Sequence, residues 1–246
     1  MANVNIEVNL REARELNREI KEKASAYDTI TLKNVFGQRY IGCGVSGKVK
    51  IIIDGVPGND LAAYMDGPEI EVLSNAQDAI GNTMNKGRII VHGSCGDTAG
   101  YAMRGGEIFI KDSVGYRVGI HMKEYLDMKP AIVIGGGAGD FLGEYMAGGI
   151  IIVMGLGLAK DEELTGKYCG TGMHGGRMYI NGVVPQHKLG KEITKVAMEQ
   201  EDLEVLAKYV KQYKQYFKYT GNIDINKFSK YMTVNKNPYN NMYTKY

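Results

Sequence analysis

The sequence predicts an all-β fold: a parallel β-solenoid of about seven coils, preceded by a helix and followed by a helical extension. Three observations carry that expectation. One short unit recurs through the middle of the chain, as GNTMNKGRIIV at 81–91, GYAMRGGEIFI at 100–110 and GTGMHGGRMYI at 170–180. Its methionines keep step: Met65, Met84, Met103 and Met122 stand 19 residues apart, and Met146 and Met173 follow after 24 and 27. Of the 33 glycines, 31 lie between 37 and 182.

A period near 19 is too short for a helix-pair repeat, and glycine costs about 1 kcal/mol per helical position relative to alanine. Each unit also carries two apolar residues, five and seven after its methionine: Ile70 and Val72, Ile89 and Val91, Ile108 and Ile110, Ile151 and Val153, Met178 and Ile180. An offset of two puts both on one face of a strand. The Met122 copy departs, its pair coming five residues late as Ile132 and Ile134. A fainter first copy runs from Gly42 into Ile51–Ile53. The structural set of the repeat is Gly81, Met84, Gly100, Met103, Gly119, Met122, Gly143, Met146, Gly148, Gly149, Gly170, Met173, Gly175 and Gly176. The methionines would form an inner thioether ladder, and the glycines would sit at corners that need positive φ or close backbone approach.

In chain order, residues 1–34 read as a helix and a first strand. Asn9 is a candidate cap with Glu12 three residues on, and Leu10, Ala13, Leu16, Ile20, Ala24 and Tyr27 form an apolar stripe. Such a helix would lie over the open end of the stack and protect its unpaired edge. ITLKN at 30–34 supplies the strand. Residues 35–185 are the solenoid, interrupted by inserts at 123–129 and 158–165. Residues 186–246 form the extension. Asp202 is a candidate helix cap, and Leu203, Leu206, Val210, Tyr213 and Phe217 form a stripe that would cap the last coil. The extension holds eight of the 17 tyrosines, and 233–246 is expected to lie along a surface of this chain or of a partner.

Net charge is +2. Residues 186–246 hold eleven Lys and six acids, but these are interleaved with tyrosines, which argues for a docking surface or solvated face over nucleic acid. No apolar run reaches the length of a membrane span. MANVNIEVNLRE lacks the apolar core of a signal peptide, so a cytoplasmic location is expected.

No catalytic set emerges. The glycines after Ile132–Ile134 invite a dinucleotide site, but Gly137, Gly139 and Gly143 have the wrong spacing and a strand follows in place of a helix. Cys43, Cys95 and Cys169 occupy different phases of the repeat, so they are not expected to converge on a metal or cluster. His92, His121, His174 and His187 are likewise out of phase. The expectation is no catalytic, cofactor-binding or metal residue in this chain.

The same residues carry a family resemblance. GEYMAGGIIIVMGLG at 143–157, GMHGG at 172–176, GSCGDTAGYAMRGG at 93–106 and GYRVG at 115–119 resemble the GXGXG domain. That domain is the C-terminal right-handed β-helix of the glutamate synthase large subunit. The resemblance covers about residues 30–185. The chain is also similar to the solenoid component of formylmethanofuran dehydrogenase. It departs from glutamate synthase in the two inserts and in lacking the amidotransferase and the FMN/3Fe-4S synthase domains. The resemblance implies a right-handed single-stranded β-helix. It also implies a non-catalytic scaffold in a split glutamate synthase, with separate glutaminase and FMN-dependent synthase subunits as partners. FMN and the 3Fe-4S cluster would sit on a partner. The alternatives are a component of another redox complex, such as formylmethanofuran dehydrogenase, and a free-standing enzyme with a site on the solenoid face. Self-association is left open.

Overall fold

The computed structural model describes residues 2–159 and 161–234. The elements run β1 (Asn3–Asn9), α1 (Ala13–Ala24), β2 (Thr29–Phe36), β3 (Lys50–Val56), β4 (Asp66–Val72), β5 (Lys86–Val91), β6 (Glu107–Ile110), β7 (Ala131–Ile134), β8 (Ala147–Val153), β9 (Gly175–Asn181), β10 (Ile193–Val196), α2 (Gln200–Phe217) and β11 (Phe228–Thr233). Strands β1 to β9 pair in parallel with their sequence neighbours, and β11 then β10 close the sheet in antiparallel fashion. This is the predicted parallel solenoid. About six turns join β3 to β9, one fewer than expected. Among the described residues no helix is long and apolar enough to cross a membrane.

The apolar pairs stack in register. Ile70, Ile89, Ile108, Ile132, Ile151 and Met178 are Cα partners in succession, and so are Val72, Val91, Ile110, Ile134, Val153 and Ile180. The late pair Ile132 and Ile134 thus rejoins the columns, and the insert before it leaves the stack as a loop. Two more buried columns fill the interior. Leu61, Ile80, Ala99, Val118, Leu142 and Cys169, each four residues before its methionine, line the turn side. Ala76, Cys95, Val114, Ala138 and Thr165 form a bridged column of smaller side chains. The two buried cysteines are therefore steps in core columns.

The N-terminus differs from the sequence expectation. Asn3–Asn9 is a strand, with Val4, Ile6 and Val8 alternating against β2, and Asn9 ends it at φ 48°. The helix starts at Ala13 behind Glu12, no side chain caps it, and Leu10 is 91% exposed. Leu16 and Ile20 do reach the core. In the stack, the N–H of the small turn residue donates to the preceding coil, as Gly81 does to Leu61 O at 2.8 Å. Gly42 has no preceding turn to meet, and the Asn17 Oδ1 of α1 accepts its N–H at 3.0 Å. At the far end Glu192 Oε2 accepts the N–H of Gly172 at 3.0 Å. Both ends of the turn ladder are closed by a side chain.

The C-terminal helix also departs from expectation. Asp202 is not its cap: Glu199 is, with Asp202 completing a capping box at the third helical position. Nor does α2 cover the last coil. It lies on the outer face of the sheet, where Leu206, Tyr209, Val210 and Tyr213 pack against Phe109, Val133, Ile152 and Tyr179. The physical reason is that β6–β9 are apolar on both faces, as strands buried on both sides must be, whereas β3–β5 turn charge outward. Lys50, Glu69 and Arg88 pair in succession there, and Glu107 at the start of β6 carries the ion ladder on to Lys208 of α2. The end of the stack is covered instead by β11, β10 and the 186–188 turn.

The N-terminus of α2 is held by buried charge. Asp202 is 0% exposed and Lys230 6%, with Nζ to Oδ2 at 2.7 Å. The Tyr179 hydroxyl donates to Asp202 Oδ1 at 2.6 Å, and the N–H of Glu199 donates to Oδ2 at 2.8 Å. Burial works to raise the Asp202 carboxyl, but the bonds from Lys230, Tyr179 and Glu199 outweigh it and hold it low. Residues 235–246, which include Tyr239, Tyr243 and Tyr246 of the expected docking tail, lie outside the described residues.

Candidate interaction surface

Each coil returns from strand to strand through a turn with three residues at positive φ: the residues one, three and five before the methionine. In one coil these are Phe141 at 61°, Gly143 at 67° and Tyr145 at 51°. The middle position holds Gly81, Gly100, Gly119, Gly143 and Gly170, with φ between 67° and 73°. A Cβ at Gly143 would lie 2.9 Å from Met178 Sδ, and one at Gly119 2.6 Å from Ile151 Cδ1. Hydrogen bonds run both ways from the turn. The N–H of Phe141 donates to Lys167 O at 2.8 Å in the following coil, that of Gly143 to Val118 O at 2.8 Å in the preceding one, and that of Tyr145 to Thr171 O at 2.9 Å in the following one.

The methionines and the second glycine cluster serve the opposite corner. Met84, Met103, Met122, Met146 and Met173 are all fully buried. Gly148–Gly149 sits where the β8–β9 register shifts between Ala147 and Ile150, opposite Gly175–Gly176 of β9. Gly149 and Gly176 have φ of 90° and 86°. A Cβ at Gly149 would lie 3.2 Å from Met122 Cε, and Met146 Cε stands in the same relation to Gly176. The methyls of Met65, Met84, Met122 and Met146 each fill the space that a glycine of the next coil leaves: Gly87, Gly106, Gly149 and Gly176.

Several outward positions of the turn are occupied by aromatic side chains. Holding a non-glycine residue in the left-handed region costs about 1–2 kcal/mol, yet Tyr64, His121, Phe141, Tyr145 and Tyr168 all adopt it. All of these but Tyr64, together with Tyr101, build an aromatic ladder over the later coils. His121 stacks on Tyr145 with centroids 5.3 Å apart, Phe141 on Tyr168 at 4.9 Å, and Tyr101 meets His121 edge-on at 5.9 Å. The Arg117 guanidinium lies 4.9 Å from the Phe141 centroid and bonds Glu144 Oε2 through Nε at 2.9 Å. Tyr145 is 39% exposed and Tyr168 53%. Sequence reading missed this face, although its signal was present: the aromatics recur one and five residues before the methionines.

The chemistry-bearing residues do not come together. Burial, with Asp78 nearby, pushes the Cys95 thiol up, and burial pushes Cys169 up to about 12, so neither is an activated nucleophile. His92 bonds Glu71 at 2.8 Å under Phe217, His121 belongs to the aromatic ladder, and His187 sits in the 186–188 turn. His174 Nδ1 lies 3.2 Å from Gly172 O. Among the described residues no group of three or more His, Cys, Asp or Glu side chains could hold a metal ion. The insert at 123–129 packs back on the stack, where Glu124 Oε1 accepts the N–H of Gly149 at 3.1 Å. In the second insert, Leu164 packs on the core.

The chain that carries this repeating turn matches the GXGXG motif family over residues 1–236. The chain belongs to that family. The GXGXG chain is 42% identical over 241 residues to an uncharacterized protein of Methanocaldococcus jannaschii, with 94% of this chain and 92% of that protein covered. It is 27% identical over 168 residues to ferredoxin-dependent glutamate synthase 2 of Synechocystis, covering 61% of this chain and 10% of that enzyme. The GXGXG chain is thus related to glutamate synthase over about a tenth of the enzyme's length.

Proposed function

We propose that this chain is the scaffold subunit of a glutamate synthase-like complex in the cytoplasm, with glutaminase and FMN-dependent synthase activities on separate chains. On this reading FMN and the 3Fe-4S cluster reside on the synthase partner. The solenoid fixes the distance between the two centres, so that ammonia released from glutamine reaches 2-oxoglutarate. The relation to ferredoxin-dependent glutamate synthase supports the reaction class. The observation that carries the scaffold role is the exposed aromatic ladder from Tyr101 to Tyr168. Tyrosine and arginine dominate the energetic centres of protein interfaces, and contiguous exposed apolar surface marks interaction sites. Stacked coils keep such a surface rigid, which spares the ordering entropy of binding.

The test is affinity capture of the tagged chain from its native host, followed by assay of glutamine-dependent glutamate formation from 2-oxoglutarate. A glutaminase and a flavoprotein should come down in stoichiometric amounts, and Tyr145→Ser with Tyr168→Ser should reduce their recovery several-fold. Deleting 234–246 should reduce it too. Recovery of the chain alone, or with a different redox complex, would sink the proposal.

A further inference from the structure

At the N-terminal end, α1 and the first turn enclose an open cleft of about 680 Å³ lined by Arg14, Arg18, Lys21, Tyr40 and Cys43. Glu12 is the single carboxylate on its wall. Arg11 pairs with Glu15 at 3.0 Å and with Glu19 at 2.7 Å, and Lys23 pairs with Glu19 at 3.6 Å; none of these four side chains lines the cleft. Arg14, Arg18 and Lys21 have no ion-pair or hydrogen-bond partner among the described residues, and all three are exposed. Lys21 Nζ reaches over the first turn, 3.6 Å from where a Cβ of Gly44 would stand.

We propose that this cleft binds an acidic segment of a partner protein in extended conformation; the partner is supplied by the scaffold reading above. Charge complementarity selects the occupant: Arg14, Arg18 and Lys21 face a single wall carboxylate, Glu12, which suits an acidic segment. With a helical rise of 1.5 Å per residue, Arg18 lies about 6 Å and Lys21 about 10 Å along the axis from Arg14. Alternate side chains of an extended segment project on one side every 6.6–7 Å or so, so two acids at alternate positions match Arg14 and Arg18, and Lys21 stands only about 4.5 Å beyond Arg18. The guanidinium forks of Arg14 and Arg18 accept carboxylates in bidentate geometry. Exposed Tyr40 offers apolar surface beside them.

The test uses the purified full chain and a fluorescein-labelled twelve-residue peptide of alternating Glu and Ala, read by anisotropy at fixed ionic strength. Arg14→Glu with Arg18→Glu should weaken binding at least tenfold. The control pair Lys123→Glu with Lys129→Glu changes net charge equally at a distant loop and should leave it within twofold. Bound peptide should also slow alkylation of Cys43 several-fold. The proposal is overturned if the two double variants behave alike, or if inorganic phosphate or citrate displaces the peptide at peptide-like concentrations, which would make the cleft a small-anion site. Capture of the synthase and glutaminase by the wild-type chain tests the scaffold reading separately, since it can succeed with the cleft reversed and fail with the peptide bound.

Discussion

Gly149→Ala and Gly47→Ala separate two costs that a solenoid glycine can carry. Both positions have positive φ, at 90° and 99°. Around Gly47 a Cβ would meet nothing within 4 Å, so alanine there bears only the conformational penalty, about 1–2 kcal/mol. At Gly149 the same Cβ would stand 2.7 Å from Pro130 O and 2.8 Å from Pro130 Cγ. The oxygen belongs to the backbone and accepts the N–H of Ile150 at 2.9 Å, so it cannot move without breaking the β7–β8 ladder. Overpacking of this kind adds about 1–3 kcal/mol. Gly149→Ala should therefore cost roughly 2–5 kcal/mol in total, and Gly149→Val more. At about 2–4 °C per kcal/mol for a chain of this size, the two alanine variants should differ in melting temperature by several degrees. Thermal and urea unfolding followed by circular dichroism measure both. Equal losses at the two positions would refute the close-approach argument and leave backbone conformation as the whole reason for the glycine.

Four further outcomes concern the buried ion pair, the cysteines and the end of the turn ladder. Lys230→Met takes the nearer of two cations from buried Asp202, leaving Arg177 at 3.5 Å, and should cost up to about 3–5 kcal/mol in urea unfolding, most of it recovered when Asp202→Asn is added. Because the folded-state carboxyl of Asp202 is held low, its contribution is present above the ordinary aspartate range and lost as pH falls through the folded value. Asp202→Asn should accordingly flatten stability against pH on the acid side only. Thiol titration of the native protein should find one fast cysteine, the half-buried Cys43, while Cys95 and Cys169 react only on unfolding; three fast thiols would contradict the buried columns. Asn17→Ala should lower stability by about 1–3 kcal/mol by leaving the N–H of Gly42 without an acceptor, and Gly42 should then lose protection from hydrogen exchange first.

The sequence by itself determined everything that repeats. A contact made once per coil leaves a period, so the strand pairs, the methionine ladder and the rejoining of Ile132 and Ile134 after an insert could be read from spacing alone. Beginning with Val4, Ile6 and Val8, the first strand was just as legible, but a helical stripe drawn from Leu10 obscured it. The aromatic turn face lay in the same spacing, because Tyr145 and Phe141 keep phase with Met146. Its exposure did not, since only the left-handed turn turns those side chains outward. What the tertiary structure alone decided are contacts made once. Nothing near Asp202 announces Lys230, which lies 28 residues on. Nothing in the stripe of α2 says whether it covers the end of the stack or its side. That choice fell to Phe109, Val133, Ile152 and Tyr179 on the outer face of the sheet: they offer apolar surface across four coils, where the end of the stack offers unpaired edges that β11 satisfies better with backbone hydrogen bonds.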